Sequence, residues 1–589
     1  MAMLNYLSIV LPAFLLIPLV RGQNTTINLW PEPKTYTAGN TPVCIADDFK
    51  INIPGDNVPQ DLWDAVGRAS SRIWNTKHEY LSVNWGAEFF NDFSNPCEHY
   101  LHSLDLVFSS ENRNSIRSVV KQQPVERMAL EQYNLTIPLN GSATVIATNA
   151  LGLYRGLTSF EGLWFYLAPP GQGGNTMRKR WSGGEALYAP WAPYEIQDAP
   201  SFPWRSVLLD TSRHFYPLQD LRKMLDTMAM VKMSTFQWHI TDSQSFPLEL
   251  SDYPELANKG AYSPARHYSE QDVKDLIAYA AERGIEAYLE IDSPGHTASI
   301  GESHPEYIAC FDYPGWATNN LANEPPPGQL RFADPSVSNW FKGVLANAVS
   351  LVEGNFFSTG GDEINQNCML NDSLTMEKLN AFNWTLDQAL NNFTAISQEA
   401  IHAVNKTVVV WEEMVDAFGN ITAIHPDTVV LVWIDSSHNR EVANRGFRFV
   451  HASSDYFYLD CGQGEWIGEN GGGNSWCDPF KTWAHMYSFD PFGNLTEAQE
   501  SQVLGGQASL WSEQTSSANI EVVMWPRTAA VAELFWSGPG SNGSYPRQSV
   551  EAIPRMNDLQ ARMVDRGVNA EPIQPTWCAI RPGACNFDS

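Results

Sequence analysis

The chain has 589 residues, 43% of them apolar and 12% aromatic, and its 66 acidic against 37 basic side chains leave a formal net charge of −29. That length exceeds one ordinary domain and that apolar share supports a large core, so intrinsic disorder is excluded and two units are expected. A body this acidic repels phosphate backbones and anionic membrane surfaces, which argues against nucleic-acid and membrane partners and leaves neutral or cationic ligands.

The first element is the apolar run Leu7–Val20. It is short for a bilayer span, Pro12 and Pro18 interrupt it, and Val20 and Gly22 are small residues at a spacing that suits cleavage. Residues 1–22 therefore read as a signal peptide, and the chain is expected to be secreted and extracellular. Two further features agree with secretion. Asn-x-Ser/Thr acceptors occur at Asn24, Asn134, Asn140, Asn371, Asn383, Asn392, Asn405, Asn420, Asn494 and Asn542, a density high for a cytosolic chain. The eight cysteines form an even set without a Cys-x-x-Cys pair, which favours disulfides over a zinc site, and no metal is expected. By order and spacing the pairs are Cys44–Cys97, Cys310–Cys368, Cys461–Cys477 and Cys578–Cys585, although order alone does not fix connectivity.

Residues 23–200 form the first unit, a small α+β domain with a trailing loop. Asp61–His78 has Leu62, Val66, Ala69 and Ile73 at helical spacing. Leu104–Phe108 and Thr144–Ala147 read as strands and Tyr154–Tyr166 as a second helix. The Gly/Pro-rich stretch Ala168–Pro193 reads as a boundary or exposed loop. Its basic cluster Arg178–Arg180 reads as a solvated loop, with a processing site as the alternative.

From residue 201 to 589 the pattern is regular. Strand-like runs at Arg205–Asp210, Thr235–Ile240, Ile285–Ile291, Asn355–Thr359, Thr407–Trp411, Thr428–Trp433, Phe447–Ala452 and Gly505–Leu510 alternate with helical ones such as Leu218–Lys232, Ser269–Arg283 and Ser338–Glu353. Eight β-then-α units make this a (β/α)8 TIM barrel, whose active site is expected at the C-terminal strand ends.

Those ends hold Arg213, Asp242, Asp292, His296, Asp362, Glu363, Trp411, Glu412, Glu413, Trp433, Tyr458, Asp460, Trp511 and Glu513. Singly, each has an ordinary reading: a lone Trp is usually core, and an Asp after a strand usually caps the next helix. Gathered at one barrel mouth they suit a pyranose, whose C–H faces lie on aromatic rings while its hydroxyls need carboxylate and Arg partners. The sequence has no His-Glu-x-x-His, Walker-type loop or Gly-x-Ser-x-Gly elbow to support a competing chemistry.

Asp210-Thr-Ser-Arg-His-Phe-Tyr-Pro217, Trp238-His-Ile-Thr-Asp242, Asp292-Ser-Pro-Gly-His296, Gly360-Gly-Asp-Glu363, Trp511-Ser-Glu513 and Trp525–Ser537 resemble β-N-acetylhexosaminidases of glycoside hydrolase family 20. The resemblance spans nearly the whole mature chain, and the loop set and disulfide spacing are most similar to secreted fungal-type members. It implies an enzyme without cofactor that acts on β-N-acetylhexosaminide oligosaccharides, chitin fragments or glycan ends. Neighbouring carboxyls on one chain are poorly placed to flank a glycosidic bond from opposite sides. In this family the substrate's 2-acetamido carbonyl attacks the anomeric carbon instead. Glu363 is then the general acid and base, and Asp362 holds the acetamido N–H.

By the same resemblance Arg213 and Glu513 bind the O3, O4 and O6 hydroxyls, and Asp460 contacts O6. Trp411, Trp433 and Trp511 wall the acetamido pocket and ring, and Tyr458 donates to the acetamido oxygen. Asp242 and His296 tune Glu363, while the Gly360-Gly361 pair lets the backbone approach the sugar. Cys461 stands where relatives that take sulfated sugars carry an Arg, so anionic sugars are expected to be poor substrates. The alternative of another class is a non-catalytic glycan-binding protein on a degenerate barrel, against which Glu363 argues. The oligomeric state stays open, a homodimer included.

Overall fold

The computed structural model describes residues 27–81, 83, 97–167, 185–416, 421–468 and 471–587. The expected signal peptide, the Arg178–Arg180 cluster, Asn24 and Asn420 lie outside them. The first sheet has six strands in the order Thr35–Asn52, Tyr100–Phe108, Gly141–Ala147, Tyr133–Ile137, Ala186–Asp198, Phe165–Leu167. Its first strand also pairs antiparallel with Ala186–Asp198, Thr35 opposite Gln197. The helices Gln60–Asn75 and Ala150–Gly162 pack against this sheet through Leu62, Val66, Ala69, Leu153 and Leu157, all buried.

Two expectations are corrected here. The helix placed at Tyr154–Tyr166 starts four residues earlier, because the Asn149 side chain accepts from the Leu151 and Gly152 N–H groups and caps it there. It ends at Gly162, and Phe165–Leu167 instead pairs with Ala186–Tyr188 as a strand. The Gly/Pro-rich stretch is only partly a candidate loop. From Ala186 it forms a 13-residue strand, with Pro190 and Pro193 beside the register shifts of its pairing with the first strand, where a missing N–H is tolerated.

The second unit is a closed barrel of eight parallel strands, Trp204–Asp210, Thr235–Thr241, Glu286–Ile291, Phe356–Gly360, Thr407–Trp411, Val429–Val432, Arg448–His451 and Val503–Leu510, joined in chain order and closed by the eighth against the first. Nearly every residue of these strands is buried on both faces, as a parallel sheet covered by helices requires. Four disulfides join Cys44–Cys97, Cys310–Cys368, Cys461–Cys477 and Cys578–Cys585. Among the described residues no helix is long and apolar enough to cross a membrane. Of the eight described glycosylation acceptors, Asn392 is partly shielded and the others are exposed.

The first unit closes the N-terminal face of the barrel through buried charge. Glu131 takes Arg155 Nε at 2.8 Å and Arg205 Nη2 at 2.6 Å, with all three side chains fully buried. Arg155 also donates to the carbonyls of Met233 and Gly284, just before the second and third barrel strands. Lys232 pairs with Asp198 at 2.9 Å, and Asp198 accepts from Trp536 Nε1. Removing one member of such a buried cluster leaves its partners charged and unsolvated. Glu131→Ala is expected to destabilise the fold by about 3–5 kcal/mol, read as a lower urea midpoint; an unchanged midpoint contradicts this account of the interface.

Candidate active site

Asp210, the last residue of the first barrel strand, fixes the mouth. Its Oδ1 accepts from the N–H groups of Ser212 (2.8 Å) and Arg213 (3.1 Å), and its Oδ2 from Ser512 N–H (3.1 Å) and Oγ (2.9 Å). The first and eighth strand ends are thereby tied together, which sets Arg213 and Glu513 on one side of a cavity of about 330 Å³. Arg213 lies over the Trp511 ring, 5.3 Å from its centroid. It pairs with Asp242 at 2.8 Å, comes within 4.0 Å of Glu513, and donates to Glu324.

The fourth strand delivers the acids. Gly360 (φ +62°), Gly361 (φ +102°) and Glu363 (φ +54°) turn through left-handed conformations, so that both Asp362 and Glu363 line the cavity. A non-glycine residue held there carries strain of the order of 1–3 kcal/mol, as functional positions often do. The glycines permit this turn, and they have a further task. A Cβ on Gly360 would lie 2.0 Å from Asp292 Oδ1, and one on Gly361 would lie 2.4 Å from Met414 Cγ. They make room for protein side chains, and Gly361 N–H donates to Asp292 at 2.8 Å.

His296, from the third strand end, stands between the acids. Its Nδ1 lies 3.1 Å from Asp242, and its Nε2 lies 3.7 Å from Asp362 Oδ2 and 3.4 Å from Glu363 Oε2. Burial works against its charge, but Asp242 and Asp362 outweigh that and hold it protonated, well above the ordinary imidazole range. For Glu363, burial alone would raise the pKa, yet the hydrogen bond and charge of His296 keep it below the ordinary value. Asp362 goes the other way, raised well above the usual range by burial and by the charge of Asp292 beside it. The two carboxyls share a hydrogen bond, the proton staying on Asp362, and no N–H of the described residues donates to its buried Oδ1.

Aromatic rings form the opposite wall. Trp433 stacks on Tyr458 at 6.2 Å and 12°. Glu413 holds Trp433 by accepting from its Nε1 at 2.8 Å, and Glu412 by accepting from its backbone N–H at 3.1 Å. Trp411 is fully buried behind this wall, 6.5 Å from Trp433 and 6.0 Å from Trp511; it backs the two rings and does not itself face the cavity, which corrects its expected place. Asp460 does face it, with Oδ1 buried and unpartnered.

Several lining residues carry no signal in the sequence pattern. Asn323 and Glu324 come from the long segment between the third and fourth strands, where Asn323 hydrogen-bonds Glu363 and Glu324 pairs with Arg213. Glu465, Trp466 and Trp476 come from the segment that the Cys461–Cys477 bond closes, and Trp476 meets Trp433 edge-on at 5.8 Å.

Residues 202–539 match the glycosyl hydrolase family 20 catalytic domain, and residues 29–163 match the beta-acetyl hexosaminidase-like domain. The chain belongs to glycoside hydrolase family 20. This family 20 enzyme is a glycoside hydrolase of the β-N-acetylhexosaminidase class. It is 30% identical to a beta-hexosaminidase of Arthroderma benhamiae across 95% of this chain and 97% of that one. It is 31% identical to a chitooligosaccharidolytic beta-N-acetylglucosaminidase of Ostrinia furnacalis across 82% and 78%. The fold is shared with the GH20 exo beta-N-acetylglucosaminidase of Vibrio harveyi, with a TM-score of 0.69 at 19% identity over 93% of this chain and 78% of that one.

The buried acids make stability depend on pH. Asp292, Glu412 and Asp460, each raised to about 7 chiefly by burial, bind protons more tightly folded than unfolded, so stability falls as pH climbs from about 4 to 7. His239, raised to about 10 against the pull of burial by hydrogen bonds to Asp242 and Glu290, gives a contribution that is complete below about 6.5 and lost through 10. His451, lowered to about 4 by burial, and His402, lowered by burial and by the charge of His425, oppose them. The urea midpoint is expected to be higher at pH 5 than at pH 8, with Asp460→Asn flattening the fall; a midpoint that rises over this range contradicts the assignment.

Proposed function

We propose that this enzyme is secreted and exo-acting. It removes terminal β-linked GlcNAc, and GalNAc, from the non-reducing ends of chitooligosaccharides or glycans with retention of configuration, and the substrate's own acetamido group is the nucleophile. The observation that carries this reading is the adjacent pair Asp362–Glu363, both of which line the one cavity.

In the first step the acetamido oxygen bonds to the anomeric carbon as the glycosidic C–O bond breaks, and Glu363 gives its proton to the departing oxygen. Nε2 of the protonated His296 lies 3.4 Å from Glu363, so the imidazolium is the neighbouring group that can supply this proton. Asp362 accepts from the acetamido N–H, and the positive charge growing on the oxazolinium ring favours its anionic form. Tyr458 donates to the acetamido oxygen and orients it for attack. In the second step water attacks the anomeric carbon, Glu363 takes its proton, and the ring reopens to the amide. Arg213, Glu513 and Asp460 bind the hydroxyls of the terminal sugar, while Trp433 and Trp511 cover its faces, supported by Trp411. Asp460, Glu465 and Glu513 beside Arg213 leave a 6-sulfate facing carboxyls, which disfavours anionic sugars.

Secretion is supported by the apolar run Leu7–Val20 and by four disulfides, which persist in oxidising compartments. A purely glycan-binding role leaves the strained Glu363 without a task.

Glu363→Gln is expected to lose roughly 10²–10⁴-fold in kcat/KM on substrates with a sugar leaving group and much less on a dinitrophenyl glycoside. Asp362→Asn is expected to slow both, since it acts on the acetamido step. Equal losses on both leaving groups in the two variants would refute this division of roles.

A further inference from the structure

Below the two acids lies a buried layer of charge that the mechanism above leaves without a task. The second, third and fourth strands are in register at His239, Glu290 and Ser358, with His239 opposite Glu290 and Glu290 opposite Ser358. All three side chains are fully buried. Glu290 Oε1 accepts from His239 Nδ1 at 2.6 Å, and its Oε2 accepts from Gln237 Nε2 at 2.6 Å and from Ser358 Oγ at 2.5 Å. The other ring nitrogen of His239 reaches Asp242 Oδ2 at 2.8 Å. With a carboxylate at each nitrogen, the ring donates from both and is an imidazolium.

The same chain of contacts continues outward. Asp242 Oδ1 meets His296 Nδ1 at 3.1 Å, and His296 Nε2 faces Glu363 at 3.4 Å. Five groups thus run in single file from the barrel interior to the acid: Glu290, His239, Asp242, His296 and Glu363. A buried ion pair adds little stability that well-packed apolar side chains could not supply. Its location at the root of this file gives it a geometric use.

Resting on the reading of Glu363 as the general acid, we propose that Glu290 and His239 are positioning residues for that acid: they fix Oδ2 of the Asp242 carboxylate so that Oδ1, which also accepts from the Ser243 N–H, holds the His296 ring with Nε2 turned to Glu363. Loss of the lock leaves Asp242 held only by Arg213 at Oδ2 and the Ser243 N–H at Oδ1, without the imidazolium that completes its setting, and His296 then presents a less fixed edge to the acid. A merely supporting role has another reading. His239 meets Trp511 edge-on, 4.9 Å away at 78°, so general slackening of the sugar wall would weaken binding of every substrate alike.

The test compares two GlcNAc β-glycosides, one with a sugar leaving group that needs protonation and one with a dinitrophenyl group that leaves without it. Their kcat/KM values report bond cleavage. Glu290→Gln, which keeps the side chain's size, is expected to lose at least tenfold more on the sugar-leaving substrate than on the dinitrophenyl one. Ser358→Ala removes one hydrogen bond from Glu290 and is expected to split the two substrates in the same direction by a smaller factor; it decides the matter if Glu290→Gln is not recovered folded. Equal losses on both substrates, or no loss on the sugar-leaving one, overturn the proposal. Glu363→Gln measured beside them separates the two claims. If it fails to split the substrates, the acid assignment falls and the lock with it; if it splits them and neither Glu290→Gln nor Ser358→Ala does, only the lock falls.

Discussion

The buried carboxylate of Asp242 is the contact on which the site depends. It is almost wholly removed from solvent, and it meets Arg213 at 2.8 Å, His239 at 2.8 Å and His296 at 3.1 Å. Burial would push this acid toward its neutral form, but the surrounding cations, Arg213 foremost, hold it ionised well below the usual range. One side chain therefore joins the Arg213 guanidinium, to which we assign the sugar hydroxyls, to the imidazole that faces Glu363. On the proposed roles, recognition of the terminal sugar and control of the proton share a single anchor, so altering one disturbs the other.

The rest of the molecule keeps that anchor dry and rigid. Both strand faces are covered, and the N-terminal unit seals the far end of the barrel with Glu131, Arg155 and Arg205. Asp210 ties the first strand to the eighth across the seam where the barrel closes. On this frame the chain can hold Glu363 at a positive φ and keep the Asp362 and Asp292 carboxyls buried side by side, two unfavourable local states that a looser scaffold would relax.

Much of this was legible because barrel topology sends every strand end to one face. Once eight strand-like runs are found, the residues after them must converge, and Arg213, Asp242, His296, Asp362, Glu363, Trp433, Tyr458, Asp460, Trp511 and Glu513 all line one cavity. Trp411 could not be placed the same way, since alternation along a fully buried strand does not show which ring reaches the cavity. Glu324 and Trp476 lie in irregular segments, where no periodicity marks the residues that turn inward. The run Leu163-Trp-Phe-Tyr-Leu167 is apolar enough to extend the preceding helix; pairing with Ala186–Tyr188 makes part of it a strand, a tertiary choice that local pattern does not contain. The layer formed by His239, Glu290 and Ser358 becomes visible only once the strands are set in register.

The central claim is that the acetamido group performs the attack. Successive replacement of the acetyl hydrogens by fluorine withdraws electrons from the carbonyl oxygen while barely changing its size. Across the N-acetyl, fluoroacetyl, difluoroacetyl and trifluoroacetyl glycosides, this account predicts that kcat/KM falls steeply and log-linearly with the electron-withdrawing power of the group. A flat series would contradict it, because a protein nucleophile would not feel the change.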